Sequence, residues 1–186
     1  MNLKKIKIIN VIGVFALSFL FHFMYEWWPN VVTSIFFPVN ESIWEHMKIF
    51  VSAILVWGLV DKFLLDKFNI YYNNHFFSTV LTSILSIALY LIIYLPLYKI
   101  FGETMFISIG LMLLVYAFMA YVSYKILSEN ELNINKVFLI IVIIVTYVSF
   151  GLLTYKPPKY FLFYDTNLKK IWYLVYHISF KLPSFL

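Results

Sequence analysis

The feature that most constrains this chain is a series of long apolar runs bracketed by Lys, Asp and Glu. Ile8 to Tyr25, Phe76 to Leu97, Met105 to Tyr124 and Val137 to Tyr155 carry no Lys, Asp or Glu. A helix needs about 20 apolar residues to cross a hydrocarbon core of roughly 30 Å, and each run comes close to that. A further stretch, residues 43–65, has an uncharged centre from Ile49 to Val60 that is too short to cross alone. Glu45, His46 and Lys48 are therefore expected at or within the membrane boundary. The residue usage agrees: 63% is hydrophobic and 12% charged, against about 45–50% and 25% in soluble domains.

The expected architecture is an all-α integral membrane bundle of five transmembrane helices, about 8–25, 43–65, 76–97, 105–124 and 137–155. The tail, 156–186, is expected at the interface, with a sixth crossing if Ile171 to Phe180 inserts. No repeat, low-complexity linker or second domain is visible, so residues 1–186 read as one domain.

Several classes drop out. There is no Cys, which excludes disulfides and thiolate metal sites. All fourteen basic residues are Lys. Together with abundant Ile, Asn, Phe and Tyr, that reads as coding bias in an AT-rich genome. The net charge of +5 does not mark a nucleic-acid binder, because the lysines sit at helix ends, where they reach lipid headgroups. The expected partner is the lipid bilayer. Lys4, Lys5 and Lys7 precede the first run as in a signal peptide. No small-residue cleavage site follows, so the run reads as an anchor. The positive-inside tendency puts the N-terminus in the cytoplasm of a bacterial inner or plasma membrane. The lysines of the tail then fall outside, against that tendency.

Local signals set the ends. Trp27 and Trp28 suit an interfacial belt, and Pro29 stops the first helix. Ser42-x-x-Glu45 fits a capping box opening the second. Asn73-Asn74 marks a turn, Pro96 is expected to close the third span, and Pro157-Pro158 ends the fifth.

Chemistry concentrates between His22 and Lys48. The outer end of the first helix offers His22, Tyr25 and Glu26. The start of the second offers Asn40, Glu41, Trp44, Glu45, His46 and Lys48. The tail adds Tyr164 and Asp165. These three segments are expected to converge, since polar groups at membrane depth are costly unless paired. In one reading His22, Glu26, His46 and Asp165, with Glu41 or Glu45 as a further ligand, hold a divalent metal such as Zn²⁺, and a spare carboxylate, Glu41 or Glu45, serves as general base. The spacing is unspecific, and His-Glu-x-x-His is absent. In a second reading the same groups, with Tyr25, Asn40, Trp44, Lys48 and Tyr164, form a pocket for a small solute, ion or lipid. In a third they are structural: Glu45 caps, Glu41 favours the helix dipole, His22 pairs with Glu26, and Lys48 neutralises Glu45. His75 and His177 read as interfacial residues. No nucleophile elbow, Walker motif or dinucleotide fingerprint occurs.

His22-x-x-Tyr25-x-Trp27, Asn40-Glu41-Ser42-x-Trp44-Glu45-His46 and Pro157-Pro158 followed by Phe163-Tyr164-Asp165 resemble a family of small multi-pass membrane proteins, mainly from Firmicutes, with no assigned function. The resemblance covers nearly the whole chain and implies a helical membrane fold with its site in those motifs. The chain departs at its end, where a basic, apolar tail follows in place of a Tyr-Gly-type terminus. Three activities stay open: a metal-dependent hydrolase of a lipid or lipid-linked substrate, a solute carrier or membrane-embedded binding subunit of an uptake system, and a structural partner.

Overall fold

A computed structural model describes residues 1–165 and the backbone of Lys170 and Ile171. The interfacial or inserted segment expected beyond Ile171, with His177 in it, lies outside the described residues. The fold is all-α: α1 (Leu3–Trp27), α2 (Val31–Phe36), α3 (Ile43–Lys67), α4 (His75–Phe101), α5 (Met105–Ser128) and α6 (Lys136–Tyr155). A 3-10 turn, Phe161–Phe163, follows. Tyr164–Asp165 then pairs antiparallel with Lys170–Ile171. Among the described residues four helices, α1, α4, α5 and α6, are long and apolar enough to cross a membrane.

The chain divides into two compact units. The first comprises Met1–Phe19 and Phe50–Val142. Its α4 and α5 pack against each other, and large apolar side chains point outward, among them Ile92, Phe106, Leu114 and Phe138. Polar groups lie inside. Ser78, Thr82, Ser86, Tyr90 and Tyr94 of α4 are all buried. Their spacing of four puts them on one helical face. Thr82 donates to the Ser78 carbonyl within the helix (2.8 Å), and Ser78 donates to Ser123 of α5 (2.8 Å). This inversion, oily outside and hydroxyl-bearing inside, suits lipid as solvent, where helices associate through close packing and polar contacts. Lys7 of α1 and Asp61 of α3 form a buried ion pair. Gly13 permits that helix to approach α3, because a Cβ there would overlap the Trp57 indole.

Two asparagines in left-handed conformation, Asn69 (φ 48) and Asn74 (φ 57), turn the chain from α3 into α4. Asn tolerates this region better than most residues. The Asn74 side chain also donates to the carbonyls of Ile126 and Asn130 and accepts from the Leu132 amide.

Pro96 does not close α4, which continues to Phe101. Proline removes one backbone bond, the one to the carbonyl four residues earlier, and one lost bond in a long membrane-type helix is tolerated. The stop comes at Gly102, whose φ of 69 favours glycine and whose N–H donates to the Tyr98 carbonyl at 2.8 Å.

The second unit comprises Leu20–Ile49 and the described residues from Ile143 onward. The stretch after Pro29, between the first two expected spans, contains α2. Asn30 starts it through a reciprocal cap with Thr33, at 3.0 and 3.1 Å. Trp44 packs against Phe150 (5.6 Å) and Phe163 (5.1 Å), joining α3, α6 and the 3-10 turn. Beneath it Lys48 is wholly buried. Its ammonium donates to Glu45 (2.5 Å), Thr154 (2.6 Å) and the Ser34 carbonyl (2.7 Å). All three of its protons are used, the condition under which a buried ammonium is tolerable.

Candidate metal centre

Three side chains of the second unit meet. His22 comes from α1, Glu41 from the loop before α3, and His46 from the first turn of α3. One ligand atom of each lies within 4.8 Å of the other two. His46 Nε2 is 3.4 Å from Glu41 Oε2, and His22 Nε2 is 3.8 Å from Glu41 Oε1. The imidazoles stand 5.2 Å apart, tilted by 39°. All three groups are half-buried.

The loop carrying Glu41 is held at several points. The Asn40 carboxamide oxygen accepts from the Ser42 amide at 2.9 Å. The Val39 amide donates to Glu45 Oε2 at 3.1 Å. Phe37, just upstream, packs on Phe21 of α1 at 4.8 Å. The expected capping box is half present. Ser42 Oγ accepts from the Glu45 amide at 3.4 Å, while the Glu45 carboxylate reaches back to Val39 instead of Ser42.

His46 Nδ1 lies 2.8 Å from the Ser42 carbonyl. A carbonyl only accepts, so Nδ1 carries the proton, and in a neutral ring Nε2 presents its lone pair to Glu41. A lone pair facing a carboxylate is unfavourable unless a positive charge, a proton or a metal, sits between them. The Glu41 carboxyl is accordingly held below the usual carboxylate range, by its hydrogen bond with His46 and the nearby His22, against the opposing effect of burial. His22 Nδ1 is buried without a hydrogen-bond partner.

The spacing suits a transition-metal ion. Ligands about 2.0–2.1 Å from a tetrahedral centre stand about 3.4 Å apart, close to the 3.4 and 3.8 Å found here. Imidazole and carboxylate are ligands of Zn²⁺ and similar ions.

The other residues singled out from sequence are placed as follows. Glu26, one turn beyond His22 on α1, is exposed and outside the trio. Asp165 is buried on its short strand, also outside the trio. Glu45 is buried, with Oε1 accepting from Thr154 (2.7 Å) and Oε2 from Val39 and Lys48. Tyr25 is half-buried and Tyr164 exposed. Asn40, Trp44 and Lys48 hold the loop and its surroundings, as described. Sequence reasoning did not single out Thr154 or Ser34, which complete the Lys48 cage. A threonine and a serine in apolar stretches give no local signal of such a role.

No curated protein and no solved structure matches this chain. The model of one family matches residues 1–173, nearly the full length. The chain therefore belongs to that family, a family of unknown function (DUF6512).

Proposed function

We propose that this chain is a multi-pass protein of a bacterial inner membrane whose His22, Glu41 and His46 hold a divalent metal ion of the zinc class, and that it acts as a metal-dependent hydrolase on a lipid or lipid-linked substrate. On this reading α3 also crosses, as the second of five spans, and the N-terminus is cytoplasmic. The observation that carries it is the fixed proton of His46. The Ser42 carbonyl holds Nδ1–H, which turns Nε2 toward Glu41 as a ligand lone pair. Orientation of a metal-binding histidine through its other nitrogen is the usual supporting arrangement.

Three protein ligands leave a coordination position open, the pattern of catalytic rather than structural zinc sites. A bound ion supplies Lewis acidity toward water and toward an ester or phosphate oxygen. The chain's own groups divide the remaining work. Glu41 serves as ligand. Glu45 has both oxygens engaged, so it fixes the loop and does not act as base. Glu26, exposed one turn from His22, is the carboxylate free to take a proton. A lipid substrate is supported by a groove of about 660 Å³ in the same unit, lined by Ile35, Phe36, Ile144, Tyr147 and Val148, with Lys156 also on its lining. Such a surface accepts an acyl chain, and the lysine suits an anionic headgroup.

Metal analysis of detergent-purified protein tests the proposal. Wild type should carry stoichiometric metal, and His46→Ala and Glu41→Gln should lose it while staying folded. Equal and negligible metal in wild type and variants would identify the trio as a hydrogen-bonded cluster with a protonated histidine, and the hydrolase reading would fall with it.

A further inference from the structure

The first unit holds a second polar site, independent of the metal centre. A cavity of about 20 Å³ lies among α1, α3, α4 and α5. A space of about 10–15 Å³ by this measure admits one water-sized particle, so it takes a single small guest. Asn10, Asp61, Thr79, Thr82, Tyr116 and Ser123 supply its polar lining. Asp61 is 2% exposed. Its Oδ2 takes the Lys7 ammonium, and its Oδ1 is buried with no hydrogen-bond partner.

Three of the lining hydroxyls have their protons committed. Thr79 donates to the His75 carbonyl (3.0 Å) and Thr82 to the Ser78 carbonyl (2.8 Å). Ser18 donates to the Val14 carbonyl (2.8 Å), so its 2.7 Å contact with Tyr116 is one in which Tyr116 donates. What Thr79, Thr82 and Tyr116 have left are lone pairs. With the unpartnered carboxylate oxygen and the side-chain oxygens of Asn10 and Ser123, they give the cavity more acceptors than donors, the donors being the Asn10 carboxamide and the Ser123 hydroxyl. Its complement is a cation.

We infer that this cavity binds one Na⁺ ion at Asp61 and that Lys7 is its built-in competitor. Hard oxygen ligands and room for one particle suit a small monovalent ion. Burying a second positive charge beside one carboxylate is costly in a medium of low polarity, so ion and ammonium alternate. Lys7 lies in the second turn of α1, and a lysine there reaches the headgroup region when released. Binding and release then exchange a Na⁺ for a tethered ammonium at constant buried charge.

The test uses the full-length protein in detergent, with ²²Na⁺ binding and thermal melting in NaCl against choline chloride at equal ionic strength. Wild type should bind Na⁺ saturably and melt higher in NaCl. Lys7→Met removes a competitor held at high effective concentration and should tighten binding by about tenfold or more. Thr82→Val should weaken it. Asp61→Asn alone leaves Lys7 buried and unpaired, so the double variant Lys7→Met/Asp61→Asn serves as the folded control and should bind none. His46→Ala should leave Na⁺ binding unchanged, which separates this site from the metal centre. The inference is overturned if Lys7→Met binds no Na⁺, if the double variant binds as well as Lys7→Met, or if choline and Na⁺ stabilise equally.

Discussion

The ring of His46 donates its Nδ1–H to the carbonyl of Ser42, one turn earlier, at 2.8 Å. That contact fixes which nitrogen faces Glu41, and the loop geometry that positions Glu41 rests on Asn40 bonding the Ser42 amide. Asn40→Ala should therefore act on the metal centre without removing a ligand. Loss of an outer-shell partner typically lowers metal affinity by roughly 10–100-fold. Competition against a chromogenic Zn²⁺ chelator should show a fall in that range for Asn40→Ala, and a larger one for His22→Ala. Equal affinities for Asn40→Ala and wild type would mean that the loop holds its shape without the carboxamide.

Lys48 and Glu45 are buried together, with Thr154 bridging them. Breaking a buried pair by removing one partner costs about 3–5 kcal/mol, whereas replacing both with apolar groups is often close to neutral. Lys48→Met should destabilise by an amount of that order in denaturant unfolding, and Lys48→Met with Glu45→Leu should recover much of it. Recovery will be incomplete, because the Val39 amide also loses its acceptor. The metal affinity of the double variant should drop as well, since that amide contact helps hold the loop bearing Glu41.

Asn74 combines a left-handed backbone (φ 57) with three side-chain hydrogen bonds to the segment from Ile126 to Leu132. Two substitutions separate these roles. Asn74→Gly keeps the backbone and loses the bonds, while Asn74→Ala loses both. The left-handed conformation costs a residue with a Cβ about 1–2 kcal/mol, so the alanine variant should be the less stable by about that much. Hydrogen exchange at residues 129–133 should quicken in both variants, because both release the same contacts.

Much of the fold was readable because lipid imposes a simple rule. Uncharged runs near 20 residues become helices, and Phe76 to Leu97 and Met105 to Tyr124 did so, as α4 and α5. Pro96 misled because a proline signals a stop only where its missing bond decides the outcome. In α4 the deciding residue is Gly102. At the candidate centre the histidines were legible as expensive residues in an oily segment. Which of Glu41 and Glu45 meets the histidines was not, because the two have the same chemistry four positions apart. The Lys48–Glu45 pairing is one of the sequence readings; the fold adds that Thr154 and the Val39 amide engage Glu45 as well. The other partners of Lys48, Ser34 and Thr154, lie 14 and 106 residues away in sequence, and no local pattern encodes such a meeting. The Lys7–Asp61 pair likewise joins residues 54 apart in sequence, although Lys62 stands next to Asp61 in the chain.

Asp66 supplies a pH-dependent contribution whose sign is fixed by its partners. Lys62 donates to Asp66 Oδ2 at 2.7 Å and the Tyr72 hydroxyl to Oδ1 at 2.7 Å. Foremost the Lys62 bond, then that of Tyr72, hold its carboxyl below the usual carboxylate range. A carboxyl depressed in the folded state contributes stability that is full above its unfolded value and is lost as pH falls through the folded one. Both charged side chains are about half exposed, at 54% and 53%, so the contribution is small and screened by salt. A ¹³C carboxyl titration should place Asp66 below an ordinary aspartate at low ionic strength. The midpoint should move up in Lys62→Gln and, by less, in Tyr72→Phe. It should also approach the ordinary value near 1 M salt, where the screening length is about 3 Å. A midpoint unmoved by Lys62→Gln would show that the lysine is not what holds this carboxylate charged.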